Sequence, residues 1–136
     1  MNITTGGAPT QQRNVWKGWV EIDNKKMYLK SNWERRYCLY LSLMVKHKYV
    51  KDYWYEPDVF WFEGIKRGTN NYKPDFKVEF PSGKVEYFEV KGYETSKDRT
   101  KYKRMKKYHP NIILRVIDGK WFKENGAKLK AIIKEW

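Results

Sequence analysis

The chain has 136 residues, enough for one folded domain with a sizeable core and too few for two comfortable ones. Lys and Arg number 29 against 16 Asp and Glu, so the formal net charge is +13 and we expect a polyanionic partner or an anionic surface. The 7 Trp, 11 Tyr and 6 Phe, with 40% hydrophobic residues in all, argue against a disordered chain.

The cysteine content and the hydropathy pattern bear on the compartment. Cys38 is the one cysteine, which excludes an internal disulfide and a thiolate zinc cluster and is typical of a reducing compartment. No stretch approaches the ~20 apolar residues of a membrane span, and the opening residues do not resemble a secretion signal. We therefore expect a cytoplasmic protein that uses no membrane. Residues 1–14 are predicted to be a flexible arm, and residues 15–136 to form the domain.

The first half of the chain predicts a hairpin, a helix and an aromatic strand. Apolar and polar residues alternate on both sides of Asp23-Asn24-Lys25, which indicates strands at about 17–22 and 26–30. From Ser31, the predicted cap, apolar residues recur at helical spacing in SNWERRYCLYLSLMVKHKY. The stretch 53–64 is typical of a strand with an edge or bulge where a proline interrupts it.

The second half predicts two strands at about 73–80 and 85–91, then a basic helix with a Thr95/Asp98 or Ser96 cap that stops at Pro110. NIILRVIDGK predicts a buried strand, and WFKENGAKLKAIIKEW a closing helix that contains Gly126. The predicted fold class is α/β, with a mixed β-sheet flanked by helices and an N-terminal β-hairpin.

Three ionisable residues of the second predicted hairpin fall on one face. Glu89 and Lys91 share a face because they are two residues apart in a strand. If Gly83 takes the left-handed position of a three-residue loop, the register places Asp75 opposite Glu89. The same register sends an apolar set to the other face, and its burial would fix the alignment. That set is Phe76, Val78, Phe80, Phe88 and Val90, with Lys84 and Glu86 as polar exceptions near the turn.

These side chains suit a divalent cation. Two carboxylates whose Cβ atoms lie ~4.5–5.5 Å apart repel each other without a cation, and Mg²⁺ takes one or two carboxylates while it keeps waters. A bound metal lowers the pKa of water and neutralises charge on phosphorus. Lys91 can orient the attacking water or stabilise the oxyanion, and the backbone carbonyl of Val90 is an additional candidate ligand.

Pro74-Asp75, followed by Glu89-Val90-Lys91 in the adjacent strand, resembles the PD-(D/E)xK nuclease superfamily, whose core order α-β-β-β-α-β matches the prediction from residue 31 to about 117. SNWERRYCLYL, YEPDVFWFEGIKRGTNNYKPDF, EYFEVKGY and KYKRMKKYHP look like the small phage-encoded endonucleases, akin to the endonuclease I and Holliday-junction resolvase groups.

The resemblance implies a restriction-endonuclease-like core and an Mg²⁺-dependent DNA endonuclease, with Mn²⁺ as a substitute, that resolves branched DNA such as four-way junctions. It implies Asp75 and Glu89 as metal ligands, Lys91 as the catalytic lysine, and Glu34 of the first helix as a further metal ligand. A four-way junction needs two symmetric cuts, so this reading implies a homodimer. If the protein is phage-encoded, its compartment is the host cytoplasm. Ser31-x-x-Glu34 is also a capping box, which leaves a purely structural role for Glu34 open.

The basic residues supply candidate phosphate contacts. A loop and the second predicted helix hold them close to the proposed metal site, although a solvated face is the alternative. The candidate DNA-binding residues are Lys66, Arg67, Lys97, Arg99, Lys101, Lys103 and Arg104.

Several alternatives remain open at the level of sequence. Pro57-Asp58 is a second "PD", and a solvated polar sheet face is the plain reading of the hairpin charges. A restriction or recombination nuclease on the same core, or a non-catalytic basic module that binds nucleic acid, fits the charge equally well. His47 and His109 have no ligand spacing, and no Gly-rich phosphate loop indicates a nucleotide cofactor.

Overall fold

The computed structural model describes residues 3–5 and 16–136 and has a mixed α/β fold. In chain order the elements are β1 (Ile3–Thr5), β2 (Gly18–Ile22), β3 (Lys25–Leu29), α1 (Asn32–Lys46), β4 (Asp52–Tyr55), β5 (Phe60–Trp61), β6 (Asn71–Tyr72), β7 (Phe76–Glu79), β8 (Val85–Val90), α2 (Ser96–Tyr108), β9 (Leu114–Ile117) and α3 (Gly119–Ile132). The backbone divides into two compact units. The first unit is Met1–Val50 with Trp121–Trp136, and the second unit is Lys51–Lys120. That residues 15–136 act as one domain stays a prediction.

The first unit contains an antiparallel sheet in the order β1-β2-β3. Asp23 and Asn24 form the two-residue turn between β2 and β3, with φ values of 54° and 61°, as a type I′ hairpin requires. The predicted hairpin is confirmed, with strand ends that differ by one residue. Strand β1 falls inside the segment predicted as a flexible arm, and the rest of that segment, residues 1–2 and 6–14, lies outside the described residues.

Helices α1 and α3 complete the first unit. The Trp121 ring of α3 packs against the rings of Tyr37 and Tyr40 of α1, with centroids 5.1 and 4.9 Å apart. The Arg35 guanidinium donates to the carbonyl oxygen of Glu135, which ties the chain end to α1. Both predicted helices are confirmed. In the part of the chain that the structure describes, neither these helices nor α2 combine the length and the apolar character of a bilayer-crossing segment.

The main sheet of the second unit has the order β4-β7-β8-β9. Its neighbours are antiparallel except for β8 and β9, which are parallel, so the chain must cross over between them, and α2 is that crossover. Strand β9 confirms the predicted strand, but the prediction that it is buried is only partly correct. Val116 is exposed because β9 is the last strand of the sheet.

The β7–β8 hairpin has the predicted register. Phe76 pairs with Phe88, and the Phe80 N–H donates to the Lys84 carbonyl oxygen at 2.8 Å across the three-residue loop. Gly83 takes the left-handed position with φ of 89°. Burial fixes this alignment as expected, since Phe76, Val78, Phe88 and Val90 are all buried.

Glu86, a polar exception on that apolar face, is buried and carries two basic partners. The Lys84 ammonium lies 3.4 Å from Glu86, and the Arg115 guanidinium of β9 donates to its other carboxylate oxygen. Burial raises the pKa of Glu86, but the hydrogen bonds and charges of Arg115 and Lys84 outweigh it, so the pKa is lowered. The carboxylate is therefore tolerated on a buried face because it is paired.

The aromatic stretch 53–64 forms two strands in different sheets, and not one interrupted strand, but β4 does lie at an edge of the main sheet, as Pro57 indicated. β4 ends before Glu56, which has a left-handed φ of 48°, and Pro57 follows it. β5 then pairs with β6 as a separate two-stranded ribbon closed by the basic loop, residues 65–70. Phe62, Tyr72 and Met105 of α2 form a small buried cluster beneath this ribbon.

Two glycine substitutions test these assignments as a matched pair. Gly83→Ala should lower the free energy of unfolding by about 1–2 kcal/mol, because an L residue in the left-handed region is strained even where its Cβ meets open space. Gly126→Ala, inside α3, should raise it by up to about 1 kcal/mol, because no described residue obstructs the Cβ and alanine favours helix. Chemical denaturation measures both values. Equal effects of the two changes would contradict the assigned loop or helix.

Candidate active site

Two acidic side chains meet where the β7–β8 ladder ends. Asp75 directly precedes β7 and Glu89 lies near the end of β8, and each is only 7% exposed. The Asp75 N–H donates to the Glu89 carboxylate at 3.2 Å, and the Val90 N–H donates to the Asp75 carboxylate at 2.8 Å. Each carboxylate thus accepts a backbone hydrogen bond from the opposite chain segment. The sequence expectation that Asp75 and Glu89 come together agrees with this geometry.

Tyr72 of β6 supports Glu89 from outside the hairpin. Its hydroxyl donates to Glu89 Oε1 at 2.7 Å, the same oxygen that accepts from the Asp75 N–H. Burial raises the pKa of Tyr72 strongly, and the charge of Glu89 adds to the shift. The phenol therefore stays protonated as a hydrogen-bond donor. Sequence reasoning missed this residue, because β6 is too short to predict as a strand.

Lys91 lies between two buried carboxylates. Its ammonium is 4.0 Å from Glu89 Oε2 and 3.3 Å from Asp98 Oδ1 of α2. Asp98 is 5% exposed and closes the capping box of α2, in which its carboxylate accepts from the Thr95 N–H at 2.9 Å. Burial raises the pKa of Asp98, but the Thr95 hydrogen bonds and the Lys91 charge outweigh it and lower the pKa. The sequence predicted the Thr95/Asp98 cap correctly but did not connect Asp98 with Lys91.

Tyr102 of α2 adds a second phenol to this region. Its hydroxyl oxygen is buried and has no hydrogen-bond partner among the residues that the structure describes. Burial raises the pKa of Tyr102, and the charges of Glu89, Asp98, Glu94 and Asp75 raise it further, so all four carboxylates lie within electrostatic range of the phenol. A buried polar group without a partner costs free energy, which is offset when a ligand or a water supplies the missing bond.

The donor set fits a hard divalent cation. Mg²⁺ binds through one or two protein carboxylates and keeps waters, so Asp75 and Glu89 suffice as charged ligands. Within residues 16–136, no cluster of three or more His, Cys, Asp or Glu side chains of the kind that holds a metal by itself occurs. The carbonyl of Val90 as a ligand stays a prediction.

Glu34 lies in the first unit, at the start of α1. Its N–H donates to the Ser31 side chain at 3.1 Å, and its carboxylate accepts from the Lys30 N–H at 3.0 Å. This is the helix-start role that the sequence left open, although the carboxylate caps Lys30 and not the Ser31 N–H of a standard capping box. The further role of Glu34 as a metal ligand stays a prediction.

The predicted DNA-binding residues have different partners. Lys66 and Arg67 are exposed in the basic loop, and Lys97 and Lys103 are exposed on α2. Three others are engaged in contacts: Arg99 pairs with Glu94 at 3.8 Å, Arg104 donates to the Thr69 carbonyl oxygen, and the Lys101 ammonium lies 5.7 Å from the centre of the Tyr72 ring.

The second "PD" of the sequence has a structural partner. The Asp58 carboxylate accepts a hydrogen bond from the Tyr87 hydroxyl of β8, and the Lys77 ammonium lies 3.6 Å from it. Burial and the Asp58 hydrogen bond raise the pKa of Tyr87. Asp58 therefore anchors the segment between β4 and β5 to the sheet.

No protein-family model matches the chain, and no curated protein matches it either.

The pairing of Asp98 with Lys91 is testable by a double-mutant cycle. Each single change, Asp98→Asn or Lys91→Met, leaves the other charge without its partner. We therefore expect the double variant to lose at least about 1 kcal/mol less stability than the two single variants lose in sum. Denaturant unfolding at neutral pH measures this coupling.

The exposed pair Glu94 and Arg99 in the same region is the matched control. Its two side chains are 43% and 56% exposed, so a cycle of Glu94→Gln and Arg99→Met should give a coupling below about 0.5 kcal/mol. Equal couplings in the two cycles would contradict a specific Lys91–Asp98 interaction.

Proposed function

We propose that the second unit carries the active site of a divalent-metal-dependent DNA endonuclease that cleaves phosphodiester bonds in branched DNA, with four-way junctions as the expected substrate. The single observation that carries the proposal is the pair of buried carboxylates, Asp75 and Glu89, held together by crossed hydrogen bonds with Lys91 beside them.

The fold order supports the proposal. Along the chain, α1, β4, β7, β8, α2 and β9 follow the α-β-β-β-α-β order of the PD-(D/E)xK superfamily, with the β5–β6 ribbon inserted before β7. Asp75 and Glu89 stand at the hairpin positions that the resemblance assigns to metal ligands, and Lys91 at that of the catalytic lysine. The restriction-endonuclease-like core and the family membership are part of the proposal.

The role of each residue follows from its contacts. Asp75 and Glu89 would hold Mg²⁺ or Mn²⁺, and a bound ion would supply charge neutralisation at phosphorus and acidify a water. Tyr72 keeps Glu89 in place through its hydroxyl. Lys91, held near both Glu89 and Asp98, would orient the attacking water or stabilise the negative charge that develops on the phosphate.

The charge of the chain supports a nucleic-acid partner. A net charge of +13 favours association with a polyanion, and the exposed Lys66, Arg67 and Lys103 suit phosphate contacts. The proposed substrate requires two symmetric cuts, and the proposed site places one Asp75, Glu89 and Lys91 set on each chain, so the proposal includes a homodimer.

Conservative substitutions test the active site. Asp75→Asn and Glu89→Gln keep an oxygen that accepts the Val90 and Tyr72 hydrogen bonds, so the fold should persist, while the lost charge should reduce Mg²⁺-dependent cleavage by about 10²-fold or more. Lys91→Ala should reduce cleavage by about 10²–10³-fold. The measurement is strand cleavage of labelled four-way, flap and linear DNA with Mg²⁺, Mn²⁺ or EDTA, with DNA binding followed in parallel.

Glu79→Gln is the matched control. Glu79 lies on β7, carries the same charge and pairs with Lys51 at 3.4 Å, so its loss should leave cleavage within about twofold. Cleavage that survives in both Asp75→Asn and Glu89→Gln would refute the site. A linear substrate cut as fast as the junction would indicate a restriction or recombination type of nuclease. Binding that weakens steeply with salt, without metal-dependent breakage, would indicate a non-catalytic module.

A separate comparison tests Glu34. Glu34→Gln retains an oxygen for the Lys30 N–H, whereas Ser31→Ala removes the side chain that accepts from the Glu34 N–H. Ser31→Ala should therefore cost about 0.5–2 kcal/mol of stability and leave cleavage by the folded protein unchanged. If Glu34 is a metal ligand, Glu34→Gln should cost little stability and reduce cleavage more than tenfold. Full cleavage in Glu34→Gln would leave Glu34 with the helix-start role alone.

A further inference from the structure

A polar cavity of about 240 Å³ lies between the basic loop and α2, within the second unit. Its lining residues are Gly68, Thr69, Asn70, Asn71, Lys97 and Lys101. The lining contains two cations and no acidic side chain, and it shares no residue with the carboxylate pair. A concave site of this composition suits an anion.

The two lysines repel each other across one turn of α2. Residues four apart lie on the same helix face, and like charges at this spacing destabilise a helix. Neither Lys97 nor Lys101 forms an ion pair with a carboxylate in the described part of the chain, whereas Lys91 and Arg99 on either side of Lys97 do. An anion in the cavity would offset this repulsion.

The loop side of the cavity is fixed in place. The Arg104 guanidinium of α2 donates to the Thr69 carbonyl oxygen, and the Phe62 N–H donates to the Asn70 carbonyl oxygen at 2.9 Å. Gly68 has a left-handed φ of 71°, and a turn that contains a left-handed residue is typical of backbone concavities that bind anions. An anion would therefore enter a cavity that is already formed, which saves the cost of ordering the loop.

One side chain connects the cavity to the carboxylate pair. Tyr72 follows the lining residue Asn71, its ring lies beneath the Lys101 ammonium at 5.7 Å, and its hydroxyl donates to Glu89. An anion held by Lys101 would thus be separated from Glu89 by a single tyrosine side chain. This adjacency suits two neighbouring phosphates of one strand.

We propose that this cavity binds a phosphate group of the DNA strand next to the phosphodiester that is cleaved. The inference rests on the proposed function. In it, Lys97, Lys101 and residues 68–71 hold the DNA strand in position at the carboxylate pair. The phosphate is either an internal phosphodiester or the terminal 5′-phosphate of a strand, and both offer the same anionic oxygens to the two ammonium groups.

Binding without cleavage tests the inference independently of catalysis. The full chain is titrated in EDTA with a four-way junction and with a flap. In one series of substrates a single neutral methylphosphonate replaces a different phosphodiester in each DNA. In a second series the same DNA is used with and without its 5′-phosphate. In the wild type, one neutral linkage or the missing 5′-phosphate should weaken binding about tenfold. In the Lys97→Gln/Lys101→Gln variant, neutralising or removing the same phosphate should not change the affinity. The slope of the logarithm of the DNA-binding constant against the logarithm of the salt concentration should also fall in magnitude by about one for each lysine.

Two further variants keep the result specific. Lys97→Arg/Lys101→Arg retains both charges and should restore the sensitivity to that phosphate, while Lys106→Gln removes an exposed charge of α2 that does not line this cavity and should leave the sensitive position unchanged. If a neutral internal linkage weakens binding, the cavity holds an internal phosphodiester. If loss of the 5′-phosphate weakens binding, the cavity holds the terminal phosphate.

Sensitivity that is the same in the wild type and the double variant, at every position, would overturn the inference. The inference would also be overturned if Lys106→Gln abolished the sensitivity to that phosphate as completely as the Lys97→Gln/Lys101→Gln variant does. These outcomes are separate from the failure of the proposed function. A protein that cuts DNA without using the cavity loses only this inference. A protein that binds phosphate here without cutting keeps the phosphate site but loses the proposed activity and the position of that site next to a cleaved bond.

Discussion

Two carboxylates can stand next to each other in this protein because each accepts a hydrogen bond from the opposite chain segment. Asp75 receives the Val90 N–H, and Glu89 receives the Asp75 N–H and the Tyr72 hydroxyl. These donors supply part of the solvation that burial removes. The end of the hairpin, the position of Lys91 and the electrostatics around Tyr102 all depend on this crossed arrangement.

Sequence patterns predicted most of the local structure because each signal acts over a short distance. The register of the β7–β8 hairpin follows from a three-residue loop with Gly83 and from an apolar face that tolerates no slip, and the structure has that register. The caps at Ser31 and Thr95 follow from side chains that satisfy nearby backbone donors. The pattern failed within residues 53–64, where one expected strand is two, because a left-handed residue before Pro57 redirects the chain.

The residues that surround the carboxylate pair could not be predicted from the sequence, because their contacts depend on which elements pack together. Tyr72 comes from a strand of two residues, and Tyr102 and Asp98 come from α2, whose position relative to β8 the sequence pattern does not specify. Asp98 is recognisable in the sequence as a cap, yet its second partner, Lys91, depends on how α2 docks on β8. The same holds for Arg104, which the pattern offers as a phosphate ligand and which holds the Thr69 carbonyl oxygen.

The parallel pairing of β8 with β9 has a consequence for the order of folding. The β7–β8 hairpin closes over three residues, whereas Tyr87 finds its β9 partner, Leu114, only after α2 has returned the chain to the sheet. Loop closure costs more entropy over the longer path, so we expect the hairpin to form first. Asp75 and Glu89 are therefore joined by a contact of short sequence separation, whereas Asp98 and Tyr102 reach the same region only where α2 packs on the sheet. The acidic pair and its helical surroundings depend on contacts of different range along the chain.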